Sequence, residues 1–375
     1  MNSVFRCMAL STAIYTDESR AIYLAKHGQV PPPGLLMPPN NITADGGISW
    51  GRMVASMTGA RYYNYAVAGS TCSQKVATQP ARIIPGQVPT VLEYGIPAFE
   101  ADLACPSFYV DRQPNNTVYA MWIGTNDLGV EGFLYDRNMP GTILADLVDC
   151  IWRSFDHIYR TGGRRFIVMN TVPLDRAPTY ASFGSGGAGD NPVWPTKSKY
   201  NTTEYQQKMF QYSRAVNELL DNTSPVHLLV KRRWPGASIT VFDAHSIFND
   251  IHENPGKYLS PPQNVVSSFK TCDAGGNCEN SSLSRSSFLW YVHAISLHID
   301  QNLTYSRYFT VIRYDMLHPS ERTMEIVAED HKSELDERQA VAFYTLPRFY
   351  ICGVPAPLGQ ARLNLRRRVT AAPNV

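Results

Sequence analysis

The chain has 375 residues, 44% of them apolar and 18% charged, a composition that excludes a disordered protein and leaves room for one large core or two small ones. Its formal net charge of +2 offers no general attraction for nucleic acid or an acidic membrane, and no stretch approaches the ~20 apolar residues of a membrane span. The one basic run, Arg366-Arg367-Arg368, falls in a tail, where a solvated end is expected.

Residues 1–14 hold one arginine, no long apolar run and no cleavage site, so they do not read as a secretory leader. Residues 31–41 are Pro-rich and irregular. Residues 61–69 read as a strand ending in small side chains, and residues 117–123 as a strand buried on both faces and stopped by Gly124. Leu144, Leu147, Val148, Ile151, Phe155 and Ile158 recur at helical spacing until Gly162 ends the run. A third strand is expected over 165–170, then a Gly- and Pro-rich loop over 183–201. A second apolar helical stripe follows at Tyr205, Met209, Tyr212, Val216 and Leu219. Residues 238–242 give a fourth strand, and His318-Pro319-Ser320 opens a last helix, with Glu321 in its first turn. Alternating strands and helices without repeats or linkers predict one α/β domain on a largely parallel sheet. The aromatics near strand ends, Trp122, Phe133, Tyr135 and Trp290, are read first as core.

Three clusters stand where such a sheet places its chemistry. Gly69 ends Ala-Val-Ala-Gly, Gly124-Thr125-Asn126-Asp127 closes the second strand, and Asp315-Met316-Leu317-His318 precedes the last helix. A backbone N–H at Gly69 and the side-chain amide of Asn126 suit a developing oxyanion. His318 suits a general base, with Asp315 accepting its Nδ1–H. Each cluster also has a bland reading: a turn glycine, a helix cap at Asn126 or Asp127, and a capping Asp beside a solvated His. Their order and placement favour the chemistry.

Tyr-Ala-Val-Ala-Gly-Ser-Thr (65–71), Trp-Ile-Gly-Thr-Asn-Asp (122–127) and Asp-Met-Leu-His-Pro-Ser (315–320) resemble, in that order, the second, third and fifth blocks of the SGNH hydrolases, also called GDSL-type esterases. The similarity is greatest to fungal acetyl esterases of carbohydrate esterase family 16. Residues 162–176 and the Pro-Pro-Pro-Gly at 31–34 add to it, and it covers residues 15–330. The resemblance implies a three-layer α/β/α fold with a parallel, flavodoxin-like sheet. It also implies deacylation of small esters or acetylated carbohydrates without metal or other cofactor. It assigns Gly69 and Asn126 to the oxyanion hole, His318 to the base and Asp315 to its partner.

Two departures stand out. Ile14 occupies the family's nucleophilic serine position, with Thr12-Ala13 before it in place of Gly-Asp. Ser11, Ser19 and Ser70 are the nearby hydroxyls, each at a cost in register or geometry. Residues 292–313 separate Phe288-Leu289-Trp290-Tyr291 from Tyr314-Asp315, which the family joins directly, and read as an insertion. With an atypical tail over 331–375, these patches predict a mis-spliced or mis-predicted gene product whose residues 1–14 are aberrant. An esterase impaired by loss of its serine is the leading expectation, and a non-catalytic carbohydrate-binding pseudoenzyme the alternative.

Compartment is marked by sequons at Asn41, Asn115, Asn201, Asn222 and Asn280, which together predict a secreted glycoprotein; a sixth, Asn302, lies in the suspected insertion. Cys272 and Cys278 flank a turn-rich loop that a disulfide would close, while Cys72 and Cys105 are a weaker candidate pair. No cysteine or histidine set has zinc-site spacing, and oligomeric state has no signature in the sequence.

Overall fold

The structure, a computed structural model, describes residues 6–9, 19–38, 43, 47–80, 86–105, 107–291, 318–341 and 368–370. Its strands are Arg6–Ala9 (β1), Arg61–Asn64 (β2), Thr117–Trp122 (β3), Arg165–Met169 (β4), Ser238–Phe242 (β5), Asn264–Ser268 (β6), Lys270–Cys272 (β7), Cys278–Asn280 (β8), Phe288–Tyr291 (β9), His318–Pro319 (β10) and Arg368–Thr370 (β11). Its α-helices are Arg20–His27 (α1), Trp50–Thr58 (α2), Ile96–Asp102 (α3), Thr125–Leu128 (α4), Leu144–Arg160 (α5), Thr202–Pro225 (α6), Ala244–Glu253 (α7) and Glu321–Val341 (α8).

The main sheet has the order β11-β5-β4-β3-β1-β2. Strands β1 to β5 run parallel, and β11 closes one edge antiparallel to β5. Every residue of β3 is buried, as its unbroken apolar run requires of a strand covered on both faces. Right-handed crossovers put α2 on one face, because β1 to β2 moves one way across the sheet. They put α3, α5 and α6 on the other, because β2 to β3, β4 and β5 moves back. The packing agrees: α3 and α6 lie against α5, while α2 and α7 lie against α8. The result is the expected α/β/α sandwich. All six tryptophans are buried, so Trp122 and Trp290 serve the core, as does Phe133.

Local chemistry explains the element ends. Helix α5 buries Leu147, Val148, Ile151, Phe155 and Ile158, and its Asp146 carboxylate accepts the Ile143 N–H at 2.8 Å. Asn201 caps α6 by accepting from the Glu204 N–H. Strand β2 stops at Asn64, short of the expected residue 69. There the Asn64 side chain accepts from the Ala66 N–H and bends the chain out of the ladder. Strand β1 is an addition to the expected set, since its four residues Arg-Cys-Met-Ala carry no strand pattern.

Cys272 and Cys278 are bonded, closing the β7–β8 hairpin. Cys72 pairs with Cys150 of α5 rather than with Cys105, which is unbonded. The correction is topological: Cys72 follows the β2 loop at the sheet end, where α5 passes and Cys105 does not. In the loop-entropy picture a bridge spanning 78 residues restricts the unfolded chain by about 4 kcal/mol.

Strand β9 pairs antiparallel with β10, Tyr291 opposite His318 and Trp290 opposite Pro319. Residues 292–317, which include the suspected insertion, lie outside the described residues. Tyr291 and His318, which flank them, are held at the spacing of one hairpin. Deleting 292–314 leaves Asp315-Met316-Leu317 to connect Tyr291 to His318, a common hairpin length. Shortening that connection is expected to stabilise the fold by about 2 kcal/mol of loop-closure entropy, read as a higher midpoint in thermal unfolding. A lower midpoint would show that the segment packs as a genuine element.

Candidate active site

Strand β1 lies between β2 and β3, and the connections leaving β1 and β3 run to opposite sides. The carboxyl ends of β1 and β3 therefore border the point at which strand order reverses, where open α/β sheets hold their ligands. Two loops straddle that crevice: residues 65–72 after β2 and residues 123–128 after β3.

Both loops need a glycine. Gly69 has φ 84° and Gly124 φ 120°, conformations that strain any side chain. Hydrogen bonds then join the loops. The Asn126 Nδ2 donates to the Ser70 carbonyl at 2.9 Å, which fixes the plane of the amide beside the Gly69–Ser70 peptide. The Cys72 N–H donates to Asp127 Oδ1 at 2.9 Å, and Gln79 Nε2 donates to the Asn126 carbonyl at 3.1 Å. Asn126 is buried, so its amide sits where hydrogen bonds count for more than in water.

The described residues of the remaining set are reached differently. His318 is buried in β10, and Ser320 beside it accepts from the Thr323 N–H to cap α8. Helix α8 packs on α2, the helix beside β1 and β2. Asp315 and Ile14 lie outside the described residues, as do Ser11 and Asn41. Two alternative nucleophiles have their hydroxyls engaged: Ser70 Oγ donates to the Pro89 carbonyl and Ser19 Oγ to the Pro38 carbonyl.

The family model described as GDSL-like lipase/acylhydrolase matches residues 23–330. The chain belongs to the GDSL-like lipase/acylhydrolase family. A curated relative from Hypocrea jecorina named acetylesterase is 43% identical over 279 residues, covering 74% of this chain and 80% of that one. Another acetylesterase, from Thermothelomyces thermophilus, is 28% identical over 141 residues, or 36% of this chain and 43% of that one. By family, this GDSL-like chain is a carboxylic ester hydrolase.

The loops around the GDSL crevice are pinned by buried polar groups. Asp102 accepts from the Gly34 N–H at 2.8 Å and from the Tyr65 hydroxyl at 2.6 Å, tethering the Pro-rich loop. Arg20 bonds the Asn64 carbonyl and the Tyr94 hydroxyl. Lys197 donates to the Pro178 and Ala181 carbonyls and holds the loop after β4; burial pushes its ammonium down to about 8.

Sequence reasoning offered Asp127 as a helix cap. It is fully buried and reaches across to Cys72 instead, and α4 has no side-chain cap. Desolvation pushes its carboxyl up to about 7, opposed by the backbone N–H groups of Cys72 and Asp127. The folded protein therefore holds this proton between the unfolded value of 3.8 and about 7. Stability from this group is full below 3.8 and falls as pH rises through that window. Asp127→Asn, which cannot ionise, is expected to flatten the decline in denaturant unfolding between about pH 4 and 7. A slope equal to the parent's would overturn the assignment.

Proposed function

We propose that this chain carries the frame of an acetyl-ester hydrolase acting on small esters or acetylated carbohydrates, and that Ile14 leaves it impaired as written. Gly69 N–H and the Asn126 amide are the oxyanion donors, His318 the general base and Asp315 its orienting partner. The observation that carries the reading is the Asn126-to-Ser70 hydrogen bond, which holds both donor loops over the crevice between β1 and β3. The acetylesterase name of the Hypocrea relative supports the acyl group. Residue 14 follows β1 by only five positions in the sequence, and the carboxyl end of β1 borders the crevice.

In such a site a serine hydroxyl attacks the ester carbonyl while His318 takes its proton, and the donors hold the resulting oxyanion. Isoleucine has no proton to give and nothing to attack with. Removing the serine of a triad leaves about 10³–10⁴-fold catalysis over water. Activity at the low end of that range is expected here. The engaged hydroxyls of Ser19 and Ser70 favour this reading over a displaced nucleophile. They equally favour the second reading, a carbohydrate-binding pseudoenzyme that keeps the crevice without turnover.

Release of acetate from an aryl acetate and an acetylated sugar tests the proposal. The chain as written is expected barely above background. Replacing Thr12-Ala13-Ile14 with Gly-Asp-Ser and deleting 292–313 with a single Tyr kept at the junction is expected to restore turnover, and a further His318→Ala to abolish it. Ordinary esterase rates from the unmodified chain would place the nucleophile elsewhere. A repaired chain that folds but stays inert would favour the binding protein.

The domain boundaries follow the same reading: a hydrolase domain over 15–330, interrupted at 292–313 and followed by the tail from 331. Secretion is supported by two disulfides and by the exposure of Asn115, Asn201, Asn222 and Asn280. At Asn201 the capping atom is Oδ1, so a glycan on Nδ2 is compatible with the cap. Expressed behind a working signal peptide in a eukaryotic host, the protein is expected to shift to higher gel mobility on deglycosylation. Unchanged mobility would count against a secreted glycoprotein.

A further inference from the structure

The oxyanion donors lie on separate loops, so their spacing must be held by something other than either loop. Asp127 does not touch the crevice through a helix cap or an ion pair. Its Oδ1 takes the Cys72 N–H, and its Oδ2 is buried without a hydrogen-bond donor among the described residues. Both ends of that link are anchored. Cys72 is bonded to Cys150 in α5, and its carbonyl accepts from the Leu92 N–H at 3.1 Å. On the other side the 129–132 turn closes over Asp127 so tightly that a Cβ at Gly132 would come within 1.9 Å of the Asp127 carbonyl oxygen. A side chain rigidly held at both ends transmits position between them.

We propose that Asp127 is a positioning residue, whose carboxyl clamps the loop carrying Gly69 to the turn carrying Asn126 and so sets the distance between the two oxyanion donors. This rests on the reading of Gly69 and Asn126 as those donors. Asparagine keeps the shape and the acceptor for Cys72, whereas leucine fills similar space and offers no acceptor. Loss of the link leaves a buried backbone donor unpaired, which loosens the 69–72 segment locally before the whole fold yields.

Two measurements separate this proposal from the esterase reading. In the chain as it stands, amide hydrogen exchange across residues 69–72 is expected to rise about tenfold or more in Asp127→Leu and to stay within about threefold in Asp127→Asn. Should the leucine variant fail to fold, Asp127→Ser, too short to reach Cys72, reads the same loss. Unchanged exchange in the leucine or serine variant overturns the clamp whatever the protein's activity. In the chain repaired at 12–14 and 292–313, Asp127→Leu is expected to lower kcat about 10²-fold with KM little changed, and Asp127→Asn to restore it. A purely structural role would lower stability and leave kcat of the folded fraction intact, which overturns positioning. An inert repaired parent overturns the esterase reading, while the exchange result still decides whether Asp127 clamps the loops.

Discussion

Strand β1 hydrogen-bonds to β2 on one side and to β3 on the other, and the connections leaving β1 and β3 run in opposite directions across the sheet. That placement creates the crevice, because connections diverging from adjacent strands leave the carboxyl ends of those strands uncovered by helix. It also decides which loops can cooperate. The loops after β2 and β3 flank the carboxyl end of β1, so groups on them converge without being near in sequence. Gly69 and Asn126 are 57 positions apart in number, yet the hydrogen bond from Asn126 to Ser70 spans only 2.9 Å.

The crevice is kept in shape by buried polar groups rather than by apolar packing alone. Irregular backbone at a sheet end carries amides that no ladder satisfies, and each one left unpaired would cost about 1–3 kcal/mol. Here side chains meet the need: Asp127 for Cys72, Asp102 for Gly34, Asn64 for Ala66 and Lys197 for two carbonyls. Each joins its loop to a neighbouring element or closes a turn within it. The same chemistry that satisfies the backbone therefore fixes the geometry of the site.

Much of this was legible in the sequence, and the exceptions have physical causes. Strand β3 and helix α5 were readable because an unbroken apolar run closed by Gly124 and a long apolar stripe at period 3.6 have few alternatives. Strand β5 was found at residues 238–242, since an apolar run after a Gly turn leaves little freedom. Strand β1 was not, because four residues in the middle of a sheet can be held by neighbours on both sides without a pattern of their own. The Cys72–Cys150 bridge was missed because pairing follows proximity in space, and spacing along the chain favoured Cys105. The role of Asp127 was not legible, because an acidic residue after a strand has a local cap as its ordinary alternative. Only burial shows that its partner is 55 residues away.

What the fold explains bears on how the remaining residues are weighed. Gly69 and Gly124 are required by backbone conformation, Asn126 by the Ser70 carbonyl and Asp127 by the Cys72 amide. A protein that had ceased to catalyse would still need all four to close the same crevice. Their presence thus supports the frame and does not by itself distinguish an enzyme from a binder. Ile14 bears on the question only through its chemistry: on the proposed reading, an aliphatic side chain stands where a nucleophilic hydroxyl would be. The weight of the enzymatic reading consequently falls on His318 and Asp315. An imidazole buried three residues before a helix start is a costly way to fill space, since its ring nitrogens must be satisfied or desolvated. The proposed role of general base gives that cost a purpose, since a base has to be held within hydrogen-bond reach of the hydroxyl it activates.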